Sequence, residues 1–193
     1  MNTKKLFFSM LLMAFVITVN SQNKNLLIFS PDIENMQELL FGIEPNSAIQ
    51  ILDNLDAPQN LSDLLDANPD IEAIHLLVKG DRQEVLIGGT KYANSGVGFQ
   101  NYITNLLNVM TEKSIKKLFI YSSFYASSPS NIEFIINESK NRDLSIYATA
   151  GEFGNTEGAE LIFNYSVENG MVKSVDSNIS NVENIKINFT INK

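Results

Sequence analysis

The 193-residue chain carries 14 Lys and Arg against 22 Asp and Glu, a formal net charge of −8, and no cysteine. Without cysteine there can be no disulfide, no thiol nucleophile, no thiolate metal site and no lipid-modified cysteine. The acidic balance repels nucleic acid and anionic lipid headgroups, and no block of like charge suggests an interaction tail.

The amino terminus reads as a secretory signal. Lys4 and Lys5 form its positive region and Leu6 to Val19 its apolar stretch. That stretch is short of the roughly 20 residues that span a bilayer. Val19 and Ser21 suit the −3 and −1 positions of a cleavage site, which places the cut before Gln22. No later segment is apolar enough for stable membrane insertion. The expected product is a secreted or periplasmic single domain, residues 22–193, whose net charge is −10 once Lys4 and Lys5 are gone.

Strand-like and helix-like segments then alternate, which predicts a mostly parallel sheet with crossover helices. Leu26 to Phe29 is a short apolar run suited to a strand covered on both faces. Asp32 to Phe41 can form a helix, with Ile33, Met36, Leu39 and Leu40 on one side. Ala48 to Leu52 predicts a second strand. Asn60 or Ser62 can cap a short helix through Leu65, which Asn68-Pro69 ends. Ile71 to Val78 predicts a third strand, and Lys79-Gly80-Asp81 turns the chain out of it. Glu84 to Ile87 reads as a small strand with Gly88-Gly89 as its turn.

Phe99 to Met110 is an amphipathic helix with Phe99, Tyr102, Ile103, Leu106, Leu107 and Met110 on its buried stripe. Lys117 to Tyr121 predicts a fourth core strand, followed by a serine-rich loop from Ser122 to Ser130. Asn131 to Lys140 is helix-like with Ile132, Ile135 and Ile136 inward, and Leu144 to Ala148 predicts a fifth strand. Beyond Gly151 the pattern alternates polar and apolar in Glu160–Val167, Met171–Val175 and Ile185–Ile191. Asn169-Gly170 is a hairpin signal between the first two. Residues 155–193 are therefore expected to extend the same domain as antiparallel strands, since so short a tail buries no core alone.

Ala73-Ile74-His75-Leu76-Leu77-Val78-Lys79-Gly80, the hairpin segment Val85-Leu86-Ile87-Gly88, Lys117-Leu118-Phe119-Ile120-Tyr121-Ser122-Ser123 and Leu144 to Thr149 occur in a telling order. Together they resemble a bacterial domain of unknown function found near the start of large exported proteins with cadherin-like or calcium-binding repeats. That family is similar to the caspase and gingipain class of cysteine peptidases. Leu26 to Ser30 and Ile49 to Asp53 also fit its opening, so the resemblance covers residues 26–154. It implies a caspase-like three-layer α/β sandwich with a mostly parallel central sheet and an antiparallel C-terminal extension.

The resemblance also locates a degenerate site. The family's histidine before glycine corresponds to Lys79, its glycine before cysteine to Ser122, and its cysteine to Ser123. A Cys–His pair works because imidazole activates a thiol already partly ionised near neutral pH. A serine needs a stronger and closely placed base, and lysine serves only when desolvation lowers its pKa. His75, the only histidine, lies mid-strand, about 13 Å before Lys79 at strand spacing, and is read as packed in or beside the sheet.

The replaced pair predicts a surface lysine and a loop serine with no catalysis. Gly80, Tyr121, Ser123 and Tyr125, at and just beyond the two strand ends, are the candidate binding positions. The sequence shows no metal-site spacing and implies no cofactor. Asp53, Asp56, Asp63, Asp66 and Asp70 do not follow a calcium loop, and Gly88-Gly89 with Gly96 and Gly98 lacks the Lys-Ser/Thr of a phosphate cradle. Three functions follow: an exported, non-catalytic binding or envelope accessory module with a protein partner; a Ser–Lys hydrolase using Ser123 and Lys79; or an assembly subunit that pairs through an edge strand of the tail.

Overall fold

The computed structural model describes residues 24–33, 47–51, 57–153 and 165–173. The signal segment, the Asp32–Phe41 helix beyond Ile33, Glu160–Asn164, Ser174-Val175 and the Ile185–Ile191 strand lie outside those residues. Along the chain the described elements are β1 (Asn25–Phe29), β2 (Ser47–Ile51), α1 (Ala57–Ala67), β3 (Ala73–Leu77), β4 (Lys79–Gly80), β5 (Glu84–Ile87) and β6 (Thr90–Ala93). There follow α2 (Val97–Glu112), β7 (Lys117–Tyr121), a 3-10 turn (Tyr125–Ser127), α3 (Pro129–Arg142), β8 (Ser145–Ala148), β9 (Tyr165–Glu168) and β10 (Met171–Lys173).

Seven strands form one sheet in the order β10-β9-β8-β7-β3-β1-β2, and β4-β5-β6 form a small second sheet. The pairs from β2 through β1, β3 and β7 to β8 are all parallel. Strand β9 joins β8 antiparallel, and β10 closes the hairpin on β9. The mixed α/β expectation and the antiparallel addition to the same sheet are both met. Asn169 and Gly170 carry φ of 51° and 73° at the hairpin turn, the left-handed pair that this two-residue connection requires.

The alternation of side chains sorts the sheet into two faces. Leu26, Ile74, Leu118, Ile146 and Val167 lie in register across one face, with Ile28, Leu76 and Ile120 beside them. These residues are buried with Leu61 and Leu65 of α1, with Phe99, Ile103, Leu107 and Met110 of α2, and with Ile135 of α3. Each such aliphatic side chain contributes on the order of 1.5–3 kcal/mol by leaving water.

The opposite face carries a row of rings in register: His75 beside Phe119, and Phe119 beside Tyr147. The centroids are 4.6 Å and 4.3 Å apart, with planes within 6° and 10° of parallel. His75 Nδ1 lies 2.8 Å from the Tyr121 hydroxyl, so the histidine packs on the sheet as read from its mid-strand position.

Several boundaries shift for physical reasons. Helix α1 starts at Ala57, ahead of the expected cap at Asn60; Pro58 falls in its first turn, where a missing N–H needs no intrahelical partner. The third strand ends at Leu77, because Lys79 and Gly80 leave the main sheet and pair with Leu86 and Val85 instead. Thr90–Ala93 forms the second arm of the small hairpin, although its own pattern shows no apolar alternation. The serine-rich segment is shorter than expected, since α3 begins at Pro129.

Candidate functional site

The strand order β2-β1-β3-β7-β8 reverses direction between β1 and β3. Open α/β sheets place their ligand sites outside the carboxyl ends of the strands near such a reversal. The positions singled out from the sequence gather there. Strands β3 and β7 are neighbours with Leu77 beside Tyr121, and the Val78 N–H donates to Tyr121 O at 3.0 Å. Lys79-Gly80 and Ser122-Ser123 therefore leave adjacent strand tips. Gly80 lies against Ser122: a Cβ there would strike the Ser122 hydroxyl and come within 2.9 Å of the Ser123 carbonyl oxygen.

The tip is closed over. Ser122 and Ser123 are both 0% exposed and Lys79 only 6%. This corrects the expectation of a surface lysine and a loop serine. Lys79 is drawn inward by its place in β4, where its main chain pairs with Leu86. The Ser123 hydroxyl accepts the Phe153 N–H at 3.0 Å. Ser122 Oγ makes no hydrogen bond among the described residues.

Tyr121 and Tyr125 are interior groups as well. Burial raises both phenol pKa values, with Glu138 adding to the effect on Tyr125. Tyr121 meets Phe153 edge-on at 5.3 Å, and Tyr125 meets Phe99 the same way at 5.3 Å. The Tyr125 hydroxyl has no partner among the described residues.

Three further features build the cap; the first strand and turn of the hairpin were legible in the sequence, whereas its anchoring and the other two features were not. The first is the small hairpin, anchored to the end of β1. Ser30 Oγ donates to Asp32 Oδ2 at 2.7 Å and accepts the Gly88 N–H at 3.1 Å, while the Gly89 N–H reaches Asp32 at 3.0 Å. Gly88 and Gly89 have φ of 55° and 76°, so the turn aims the Gly88 amide at the Ser30 hydroxyl and the Gly89 amide at the Asp32 carboxylate.

The second is a buried amide pair. Asn94 Nδ2 donates to Asp81 O and Phe124 O at 2.7 and 3.1 Å. Asn131 Nδ2 donates to Asn94 O and Tyr125 O at 3.0 and 2.8 Å. Together they join the hairpin, the segment after β7 and helix α3. The third is the segment after β8, where Thr149 O and Gly151 O accept the N–H groups of Ala126 and Phe124, each at 2.8 Å. The Glu84–Ile87 strand and the paired glycines left a trace in the sequence; the lone Asn94, Asn131 and Asp32 carry no pattern that marks them.

At the opposite end of the sheet a depression of about 150 Å³ lies between α1 and the residues that precede β3 and β7. It is lined by Leu65, Asp66, Pro69, Ile71, Lys113 and Ile115, with Lys113 and Asp66 paired at its rim. It shares no residue with the strand tips. Among the described residues no helix is long and apolar enough to cross a membrane.

The fold and site together define a mixed α/β domain in which a capped pair of parallel-strand tips holds an amine and two hydroxyls. The profile of the family described as "Domain of unknown function (DUF4347)" matches residues 26–183. The chain belongs to this family. The match runs past residue 154 and takes in the β9–β10 hairpin. No curated protein and no solved structure matches the chain.

Proposed function

We propose that this chain is an exported, non-catalytic binding or cell-envelope accessory module, a degenerate relative of a cysteine-peptidase-like domain. The observation that carries the reading is the state of Ser123. A nucleophile must meet its substrate, whereas this hydroxyl is fully buried and serves as acceptor for the Phe153 N–H. Five parallel strands with an antiparallel hairpin added at β8 support the caspase-like reading of the sheet. Export rests on Lys4, Lys5 and the apolar stretch that ends at Val19, with cleavage before Gln22.

The test is turnover by the mature chain, residues 22–193, against peptide and ester substrates beside a Ser123→Ala variant. The reading expects equal and negligible rates. Hydrolysis by the parent chain that Ser123→Ala abolishes overturns it.

The rival reading, a Ser123–Lys79 hydrolase, draws on the contact between Gly80 and Ser122, which sets the two strand tips side by side. It requires amine and hydroxyl within about 3.2 Å or bridged by one water. The assembly reading draws on β10, the outermost strand of the described sheet, where Met171 and Val172 are 61% and 48% exposed. A sedimentation experiment that finds only monomer removes the assembly reading.

A further inference from the structure

Arg82 and Phe124 stand together over the closed strand tips. Arg82 lies in the turn between β4 and β5, and Phe124 follows Ser123 beyond β7. The guanidinium carbon is 4.8 Å from the centroid of the Phe124 ring, within the reach of attraction between a cation and an aromatic face.

The position of the ring costs backbone strain. Phe124 has φ of 61°, a left-handed conformation that bulky residues rarely adopt and that persists only where the surroundings impose it. Here the main chain is held on both sides. The Phe124 N–H donates to Gly151 O at 2.8 Å, and its carbonyl accepts the Ser127 N–H at 3.1 Å, Ser127 Oγ at 2.7 Å and Asn94 Nδ2 at 3.1 Å. The ring placed by this strain is only partly buried, whereas Tyr125 beside it is fully inside. Burial therefore does not account for it.

The guanidinium is held with equal care. Asp81 Oδ1 accepts the N–H groups of Gln83 and Glu84 at 2.7 and 2.8 Å, which pins the turn around Arg82. Arg82 is exposed, yet it takes no part in the ion pairs among the described residues, which use Lys24, Lys91, Lys113, Lys116 and Arg142. Glu84, two residues on, is already paired with Lys91. In a chain with more acids than bases, a fixed cation without an acid is an open valence. Stacking uses the flat face of a guanidinium and leaves the N–H fork in its plane. That fork matches a carboxylate through two parallel hydrogen bonds.

We propose that Arg82 and Phe124 form a docking point for a carboxylate presented by a protein partner, with the ring holding the guanidinium in place. This rests on the binding-module reading and names the group by which the partner is recognised. The pair sits outside the carboxyl ends of β3 and β7, beside the reversal of strand order, where open α/β sheets bind their ligands. Arginine and aromatic residues also carry much of the binding energy at protein interfaces. A nucleic acid or an anionic membrane is disfavoured, because it needs many cations and meets an acidic surface here.

The test is a titration of the isotope-labelled mature chain with N-acetylglycine, followed by two-dimensional NMR. The Arg82 Nε–H and the Phe124 N–H should shift and saturate. Arg142, already bound to Glu138 at 2.6 Å, is the internal control and should not move. N-acetylglycinamide, which lacks the carboxylate, should have no effect. Arg82→Lys keeps the charge and loses the fork, so its affinity should fall about tenfold. Phe124→Leu removes the ring and should weaken binding about threefold.

Equal shifts at both arginines, no shift at Arg82, or unchanged affinity in Arg82→Lys overturns the docking point. Tighter saturation by phenyl phosphate than by N-acetylglycine transfers the site to a phosphate ligand and overturns the carboxylate assignment. Each of these outcomes leaves the binding-module reading standing. Hydrolysis of a peptide ester by the same sample, lost in Ser123→Ala, overturns that reading whatever Arg82 does.

Discussion

Acidification should weaken this fold through a single imidazole. His75 is the only histidine of the chain. It is stacked on Phe119 and hydrogen-bonded through Nδ1 to Tyr121. Its other nitrogen lies 3.4 Å from Asn25 Oδ1. A carbonyl oxygen can only accept, so Nε2 carries the proton and Nδ1 accepts the Tyr121 O–H. That arrangement uses the neutral ring completely.

Burial pushes the imidazole down from 6.5 to about 4. The unfolded chain therefore takes up a proton as pH falls through 6.5, while the folded chain resists until about pH 4. The stability contributed by the neutral ring is complete above pH 6.5 and is lost progressively as pH drops toward 4. A difference of that size corresponds to a loss on the order of 3 kcal/mol.

Carboxylates titrate in the same window, so the informative quantity is a difference between two proteins. His75→Phe keeps a ring against Phe119 and removes the titration. Urea unfolding followed by circular dichroism, at half-unit steps from pH 7.5 to 4, should show the parent chain losing about 3 kcal/mol more than the variant. The variant starts lower at neutral pH, because the Tyr121 hydroxyl loses its acceptor. Parallel profiles would refute the burial argument.

Three substitutions test the cap. Gly80→Ala forces a methyl group against Ser122 and the Ser123 carbonyl and should lower stability by about 1–3 kcal/mol in urea titrations. Asp32→Ala frees the turn amide of Gly89 and removes the acceptor of the Ser30 hydroxyl. It should cost about 1–2 kcal/mol and speed hydrogen exchange at Gly89 while leaving α2 protected. Asn131→Ala strands the carbonyls of Asn94 and Tyr125 inside the fold, with an expected loss of about 2–3 kcal/mol at an unchanged denaturant slope.

What the sequence made legible was the layer nearest the core. Lys117–Tyr121 was readable to the residue because Leu118, between Ile74 and Ile146, and Ile120, beside Leu76, are fully buried and must be apolar. The stripe of α2 was equally plain, since Phe99, Ile103, Leu106, Leu107 and Met110 all face the sheet. Asn169-Gly170 announced its turn because few other residue pairs accept two successive positive φ angles.

The cap was not legible. Ser122 and Ser123 look like surface residues, and their burial depends on the segment after β8 and on the hairpin, which close over them from distant parts of the chain on either side. Thr90–Ala93 looks like loop because all four of its side chains are at least partly exposed, so burial imposed no pattern on it. Asn94 and Asn131 are polar for each other's sake and for three carbonyls, a relation that exists only once the chain has folded. Lys79, Ser122 and Ser123 were singled out through the resemblance, and their surroundings became visible only in the fold.

The central claim is that the Ser123 hydroxyl is an internal acceptor and not a nucleophile. The most direct measurement is intact-mass analysis of the mature chain after prolonged exposure to a fluorophosphonate that labels activated serines. The account predicts an unshifted mass. A single phosphonyl adduct, mapped to Ser123 and absent from Ser123→Ala, would contradict it.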